Sequence, residues 1–168
     1  MSKQRKMFHT QGFSTPYLTE PIPCTRDDAW LGHGMYFWNE ENDAVSWGIN
    51  GKKNFKKYSV YTAEIECENV LDTVFDEEHY DFWFKSIEKA VDALTKKAGR
   101  KPTIADVNEY FLERGGWGDK VTGIMFQDLP SNETISKVTG LYYRKRIQLV
   151  AYTKEIIANF AHHFDGDC

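Results

Sequence analysis

The segment Leu31-Gly32-His33-Gly34-Met35-Tyr36-Phe37-Trp38 is the most informative part of this chain. This aromatic segment, interrupted by two glycines, leads into a segment of helical character that carries Ala44 and Trp47. Because glycine has no Cβ, the backbone there can approach a flat ligand closely. The pattern predicts a strand followed by a helix, with Tyr36 and Trp47 facing each other across a slot for a planar ring. The same aromatic residues would also suit a buried strand-turn-helix corner, since aromatic side chains dominate ordinary cores.

Composition limits the classes of protein to which the chain can belong. Its 168 residues predict one domain, long enough to bury a core. The net charge of −4 argues against a protein that coats phosphate backbones over its whole surface, but it leaves room for a local basic patch. There is no apolar run of ~18–20 residues and no signal peptide after the basic N-terminus. We therefore expect a cytoplasmic protein that does not enter a membrane.

Metal and disulfide chemistry are not predicted. The three cysteines have no Cys-x-x-Cys spacing, which argues against a disulfide framework or a zinc site. His162, His163, Asp165 and Asp167 crowd the C-terminus and resemble a set of metal ligands. Their position favours a frayed polar tail instead.

Hydrophobic periodicity predicts an α+β chain without internal repeats. An acidic residue, Asp72 or Asp76, begins a long central helix that Gly99 ends. Thr103 and Asp106 imitate a capping box for the next helix. We expect strands over 6–10, 35–38, 58–67 and 121–126, with one or two more within 141–152. We expect one helix over 40–48, capped by Asn39, a second from Asp72 or Asp76 to about 97, and a third over 103–114. A terminal helical turn or two is expected over 153–160.

A second short segment, Met7-Phe8-His9-Thr10, ends an apolar strand with a histidine and a hydroxyl residue. With Gly32-His33-Gly34-Met35-Tyr36-Phe37 it resembles the NAD-dependent ADP-ribosyltransferase superfamily, in the His-Tyr-Glu branch that includes the poly-ADP-ribose polymerases and bacterial relatives. The second family motif, Gly-x-Gly-x-Tyr-Phe before a Ser- or Ala-containing helix with another aromatic residue, is complete. The first motif, His-Gly-Thr or His-Gly-Ser, is partly kept, because Thr10 stands where the family has glycine and Gln11 where it has serine or threonine.

The resemblance implies the fold and the ligand. The fold would be an ADP-ribosyltransferase-like split β-sandwich, with helices inserted over about 76–114 and a loop over 11–28 that covers NAD, the co-substrate. Tyr36 and Trp47 would sandwich the nicotinamide ring, His9 would hydrogen-bond the adenosine ribose, and the backbone of Thr10 would bind the carboxamide. The full set of NAD-binding residues implied in this way is His9, Thr10, Gly34, Tyr36, Ala44 and Trp47.

The third catalytic position, after His9 and Tyr36, departs from the family pattern. In this branch a glutamate opens a late core strand, and the matching segment here is Arg146-Ile147-Gln148-Leu149-Val150-Ala151-Tyr152, with Gln148 at that position. A glutamine can hydrogen-bond a ribose hydroxyl. It cannot act as a general base or carry the charge that stabilises a developing cation. We therefore expect mono-ADP-ribosylation or another NAD-splitting reaction rather than chain elongation.

The acceptor of the ADP-ribose stays open between nucleic acid and protein. In this superfamily the loop before the last core strand contacts the acceptor, which here points to 128–140 and Tyr142-Tyr143-Arg144-Lys145-Arg146. Aromatic and basic side chains could stack on and neutralise RNA or single-stranded DNA, although a solvated strand end would have the same composition. Small free-standing domains of this kind are often bacterial or phage toxins or defence effectors, which would imply an antitoxin partner.

Two functions of other classes also remain open. The chain could be a catalytically inactive sensor that binds NAD or ADP-ribose. It could instead be a protein-interaction module that works through the helices over 76–114, whose exposed faces are predicted to be charged rather than apolar.

Overall fold

The computed structural model describes residues 3–51, 55–128 and 145–168. Within these ranges the chain is α+β, as predicted, with one seven-stranded mixed sheet and three α-helices. The strands are β1 (Gln4–Gly12), β2 (Met35–Trp38), β3 (Lys57–Glu66), β4 (Val70–Asp72), β5 (Gly123–Gln127), β6 (Ile147–Ala151) and β7 (Ile157–Asp167). The helices are α1 (Glu41–Asn50), α2 (Glu77–Ala98) and α3 (Ile104–Glu113).

The strand order β4-β5-β6-β2-β1-β3-β7 places β2 at the centre of the sheet. The β4–β5 pair is parallel, and the other described pairs are antiparallel. β1 pairs with β3 along its whole length, but it shares with β2 only the pair Phe8–Trp38. Beyond that pair β1 and β2 separate, and the sheet opens at its middle.

The core lies on both faces of the central strands. Every residue of β6 is buried, as expected for a strand covered on both sides. Met7, Phe37 and Leu149 lie in the cluster on one face, whereas Trp38 and Ala44 pack in the cluster beneath α1 on the other. Burial of side chains of this size stabilises the fold by roughly 1.5–3 kcal/mol each.

Two helices fill the insertion between β4 and β5, and their ends match the predicted capping residues. The Asp76 side chain accepts a hydrogen bond from the backbone N–H of His79, and Gly99 ends α2 in the left-handed conformation. Thr103 and Asp106 form the capping box of α3. Asp72, the alternative start, lies instead at the end of β4.

Asn108 on α3 connects these helices to the glycine-containing segment that begins at Leu31. Its side chain accepts from the Trp83 indole N–H and donates to the carbonyl oxygen of Leu31, at 3.2 and 3.1 Å. Asn108 is fully buried, so both bonds are made away from water. The helices therefore brace the segment that enters β2.

Of the one or two helical turns predicted over 153–160 only one is present, and the predicted frayed tail is wrong. Lys154–Ile156 form a single 3₁₀ turn, and the chain then continues as β7, paired with the edge of β3 from Ile65–Ile157 to Lys57–Asp167. Partly buried and exposed residues alternate along most of β7, which is the period of a strand. The segment forms a strand because the backbone N–H and C=O groups at the edge of β3 are its hydrogen-bond partners. The helix propensity of residues 157–167 carries no information about that edge.

Two smaller expectations also differ from the structure. Asn39 does not cap α1: its side chain donates to Glu40, which is the N-cap residue. The exposed surface of α2 is not only charged, because Tyr80, Phe82 and Phe84 are all exposed there. One strand, β6, lies within 145–152, and the remainder of the predicted strand region, 141–144, lies outside the described residues.

Candidate functional site

A cavity of about 340 Å³ opens where β1 and β2 separate. Its floor consists of residues from β1, β2 and β6, and Trp47 of α1 closes one side. Residues 22–26 and 28–30, from the proline-containing loop, form its roof. The volume lies within the range of about 300–1,000 Å³ that is typical of small-molecule sites.

The cavity brings together residues that are far apart in the sequence. His9, Thr10, Tyr36, Trp47 and Gln148 all line it. Ala44 lies behind the wall, where its carbonyl oxygen accepts a hydrogen bond from the Thr10 hydroxyl at 2.9 Å. Thr10 is thereby held against α1.

Gly34, predicted to bind NAD, also lies behind the wall and holds the roof in place. Its backbone exchanges two hydrogen bonds with Cys24, at 2.7 and 3.1 Å, and Cys24 lines the cavity. A Cβ at Gly34 would lie 2.5 Å from Cγ2 of Val150 and 2.7 Å from the carbonyl oxygen of Ala151. The glycine is therefore required for a close approach to β6.

We expect Gly34→Ala to lower the free energy of unfolding by about 3 kcal/mol or more, because it combines a φ of +154° with overlap against backbone. Gly99→Ala is the matched control: its φ is +64°, but no atom lies within 4 Å of an added Cβ. It should cost only about 1 kcal/mol. Urea denaturation of the two variants measures both values. Equal losses would contradict the close packing of Gly34 on β6.

His9 is buried, and its two ring nitrogens differ in their surroundings. Nδ1 lies 2.8 Å from the carbonyl oxygen of Tyr36 and bridges the gap between β1 and β2. Because a carbonyl only accepts, Nδ1 carries the proton and Nε2 is an acceptor. Nε2 is buried without a hydrogen-bond partner among the described residues. Burial lowers the pKa of His9 to about 4, so the ring is neutral at pH 7.

The lowered pKa of His9 makes the fold sensitive to acid. In the unfolded chain, His9 is protonated below its ordinary pKa of about 6.5, whereas in the folded chain it stays neutral down to about pH 4. We expect the wild-type chain to lose about 3 kcal/mol more stability than His9→Gln between pH 7 and pH 4. Urea denaturation at a series of pH values measures the difference. Parallel pH curves for the two proteins would contradict a buried neutral His9.

Tyr36 lines the cavity with its ring, because its hydroxyl is hydrogen-bonded to the backbone of the glycine turn. The hydroxyl donates to the Gly32 carbonyl oxygen at 2.7 Å and accepts from the Leu31 N–H at 3.1 Å. Burial raises the pKa of Tyr36 above its usual value, so the hydroxyl stays protonated. The side chain thus closes the glycine turn and presents an aromatic face next to it.

Gln148 is held by a tryptophan that the sequence analysis did not single out. The Trp30 indole N–H donates to Oε1 of Gln148 at 2.6 Å. Because an indole N–H can only donate, the end of the Gln148 amide that faces Trp30 is its oxygen. Trp30 also lines the cavity, so the roof and the floor meet at Gln148.

Two arginine–aspartate pairs line the same cavity. On the roof, Arg26 and Asp28 are 2.9 Å apart. On the floor, Arg146 binds Asp128, and its guanidinium lies 5.5 Å from the centre of the Trp38 ring. Guanidinium groups suit an anionic ligand with phosphate or carboxylate oxygens. Arg146 could have been found from its period-two spacing to Gln148, but Asp128 depends on the pairing of β5 with β6.

The described ranges contain neither a metal-binding cluster nor a membrane-spanning helix. Across 3–51, 55–128 and 145–168, no cluster of histidine, cysteine and acidic side chains is arranged to hold a metal ion. His162 instead contacts Asp165, and His163 contacts Glu41. None of the described helices has the length and apolar character needed to cross a membrane. The predicted acceptor region 128–146 lies mostly outside the described residues.

Comparison with known proteins adds one distant relative. The chain is similar to an uncharacterized protein of Methanocaldococcus jannaschii, with 33% identity over 90 residues. The matched region covers 48% of this chain and 41% of that protein, so less than half of the relative's length is spanned. No family model matches the chain, and no solved structure matches it.

Proposed function

We propose that the chain is a mono-ADP-ribosyltransferase, which moves ADP-ribose from NAD to a macromolecular acceptor, either nucleic acid or protein, and releases nicotinamide. The observation that carries the proposal is the meeting of His9, Tyr36, Trp47 and Gln148 in one cavity. These residues resemble the motifs of that superfamily in type and order, and they come from β1, β2, α1 and β6. The gap between β1 and β2 supports the proposal, since it would be the split of the β-sandwich that the resemblance implies.

The contacts of the cavity suit the parts of an NAD molecule. His9 Nε2 is a buried acceptor without a described partner, suited to a ribose hydroxyl. The Tyr36 and Trp47 rings would enclose nicotinamide, and Arg26 would bind the diphosphate oxygens. A shallow second cavity of about 670 Å³ shares Gln11 and Ile22 with the first and provides room for the adenosine half.

The chemistry requires stabilisation of positive charge on the ribose. As nicotinamide leaves with the electron pair of the glycosidic bond, the ribose acquires the character of an oxocarbenium ion. The cavity would hold the bent dinucleotide, and the roof over residues 22–30 would exclude water. Gln148 would hydrogen-bond a hydroxyl of the nicotinamide ribose, a contact that orients the sugar without supplying a negative charge.

The experiment that tests this proposal uses NAD labelled in its ADP-ribose portion. The purified chain is incubated with the label and with cell lysate separated into protein, RNA and DNA fractions. We expect label in one fraction, with one nicotinamide released for each label transferred. The same incubation without the chain gives the background. Absence of NAD binding in calorimetry would overturn the proposal.

A second candidate is a sensor that binds NAD or ADP-ribose without turnover. It is favoured by Gln148, which lacks the negative charge expected of a catalytic glutamate and whose amide oxygen accepts from Trp30. Saturable NAD binding with no nicotinamide release and no label transfer would support the sensor over the transferase.

A further inference from the structure

Asp128 is the more enclosed of the two cavity carboxylates among the described residues. Its side chain is 19% exposed, whereas that of Asp28, on the roof, is 76% exposed. Asp128 directly follows β5, and its N–H donates to the carbonyl oxygen of Arg146 at 2.8 Å. The Arg146 guanidinium also binds its carboxylate, so the backbone and the side chain both hold Asp128 at the cavity floor.

The order of the strands gives Asp128 a position relative to the proposed substrate. Reading across the sheet from β1 through β2 and β6 to β5, the cavity residues are His9, Tyr36, Gln148 and Asp128. Neighbouring strands lie ~4.7–4.9 Å apart. An NAD molecule laid from His9 to Gln148 would have its reacting ribose over β6. Asp128 then lies one strand beyond it, on the side away from His9.

The spacing between Gln148 and Asp128 leaves room for a nucleophile. Phe126 is directly opposite Gln148 in the β5–β6 pair, and Asp128 follows two residues later. In a regular antiparallel pair, the Cα atoms of such diagonal neighbours are ~7–8 Å apart. Inverting glycosidases place their carboxyl groups ~6.5–9.5 Å apart to admit an attacking water molecule. The arrangement fits attack on the ribose by a group held between these two side chains.

We propose that Asp128 is the general base that takes the proton from the attacking hydroxyl or N–H group of the acceptor. This inference rests on the proposed transferase function. A bond forms between the acceptor oxygen or nitrogen and the anomeric carbon, and the bond from that carbon to the nicotinamide nitrogen breaks. Nicotinamide leaves neutral with the electron pair, and the acceptor proton passes to the Asp128 carboxylate. Asp128 thus supplies the carboxylate that Gln148 lacks.

Arg146 positions this base. Its guanidinium binds and orients the carboxylate, its carbonyl oxygen holds the Asp128 backbone N–H, and the guanidinium lies against the Trp38 ring. Carboxylates in general are weak bases. A weak base suffices here, because the acceptor loses its proton while bonding to a strongly electrophilic cationic sugar.

The first test compares Asp128→Ala and Asp128→Asn with the wild-type chain, using NAD and water as the acceptor. We expect nicotinamide release to fall about 100-fold in both variants, as for loss of a general base. NAD affinity in calorimetry should stay within about twofold, since Asp128 is not assigned to NAD binding. Asp92→Ala, an exposed aspartate on α2, is the matched control and should keep the wild-type rate.

The second test adds azide, a nucleophile that has no proton to lose. Azide should restore the turnover of Asp128→Ala to within about tenfold of the wild-type rate, and mass spectrometry should detect ADP-ribosyl azide. A purely structural Asp128 would not be rescued, and failure of rescue would overturn the inference, as would undiminished turnover or lost NAD affinity in the variants. A wild-type chain that binds no NAD would instead overturn the proposed function itself.

Discussion

Tyr36→Ala should lower the rate of nicotinamide release from NAD at least 100-fold. The ring is the aromatic face that the glycine turn presents to the cavity, and removing it takes away a stacking surface. Stacking of a flat base on an aromatic ring contributes about 1–3 kcal/mol to binding, and loss of orientation lowers the rate further. Release of nicotinamide, followed by chromatography, measures the effect. NAD calorimetry separates the loss of affinity from the loss of rate.

Tyr36→Phe is the matched control, because it keeps the ring and removes only the hydroxyl. The Leu31 N–H and the Gly32 carbonyl oxygen would lose their partner, which should reduce the free energy of unfolding by about 1–3 kcal/mol. Nicotinamide release should nevertheless stay within about fivefold of the wild-type rate. If Tyr36→Phe is as inactive as Tyr36→Ala, the hydroxyl and its turn are responsible, and the stacking role is contradicted.

Gln148→Glu should raise the rate of nicotinamide release by about 10- to 100-fold. A carboxylate next to the ribose would stabilise the positive charge that develops as nicotinamide leaves. The Trp30 indole N–H that now donates to Oε1 can donate equally to a carboxylate oxygen, so the side chain can keep its orientation. The measurement is the initial rate of release at saturating NAD.

The comparison variant at this position is Gln148→Leu, which has a similar volume but no polar atom. It leaves the Trp30 N–H without its acceptor, and we expect release to fall about 100-fold. Both variants need a parallel stability measurement, since Gln148 is buried and a charge there costs free energy. If Gln148→Glu binds NAD normally but releases no more nicotinamide, charge stabilisation at this position is not what limits the reaction.

Local sequence determined those elements whose signals are complete within a few residues. Helix α2 begins after Asp76 and ends at Gly99. The capping side chain and the left-handed glycine satisfy the free backbone hydrogen-bonding groups at the helix ends, and neither needs the remainder of the chain. The alternation along β3 and the aromatic run of β2 likewise predicted strands at the observed places. The motif residues His9, Tyr36, Trp47 and Gln148 could be selected from the sequence, because their types and order resemble a known pattern.

Other features depend on pairing between distant segments, and the local sequence did not predict them. β7 forms because the edge of β3 offers unpaired backbone groups, and no local signal in 157–167 announces that edge. Gly34 holds the roof and packs on β6 rather than lining the cavity, and Asp128 reaches the cavity through the pairing of β5 with β6. Sequence patterns report the conformational preference of each segment. The contacts across the sheet arise when segments far apart in the chain satisfy one another's hydrogen bonds and exclude water together.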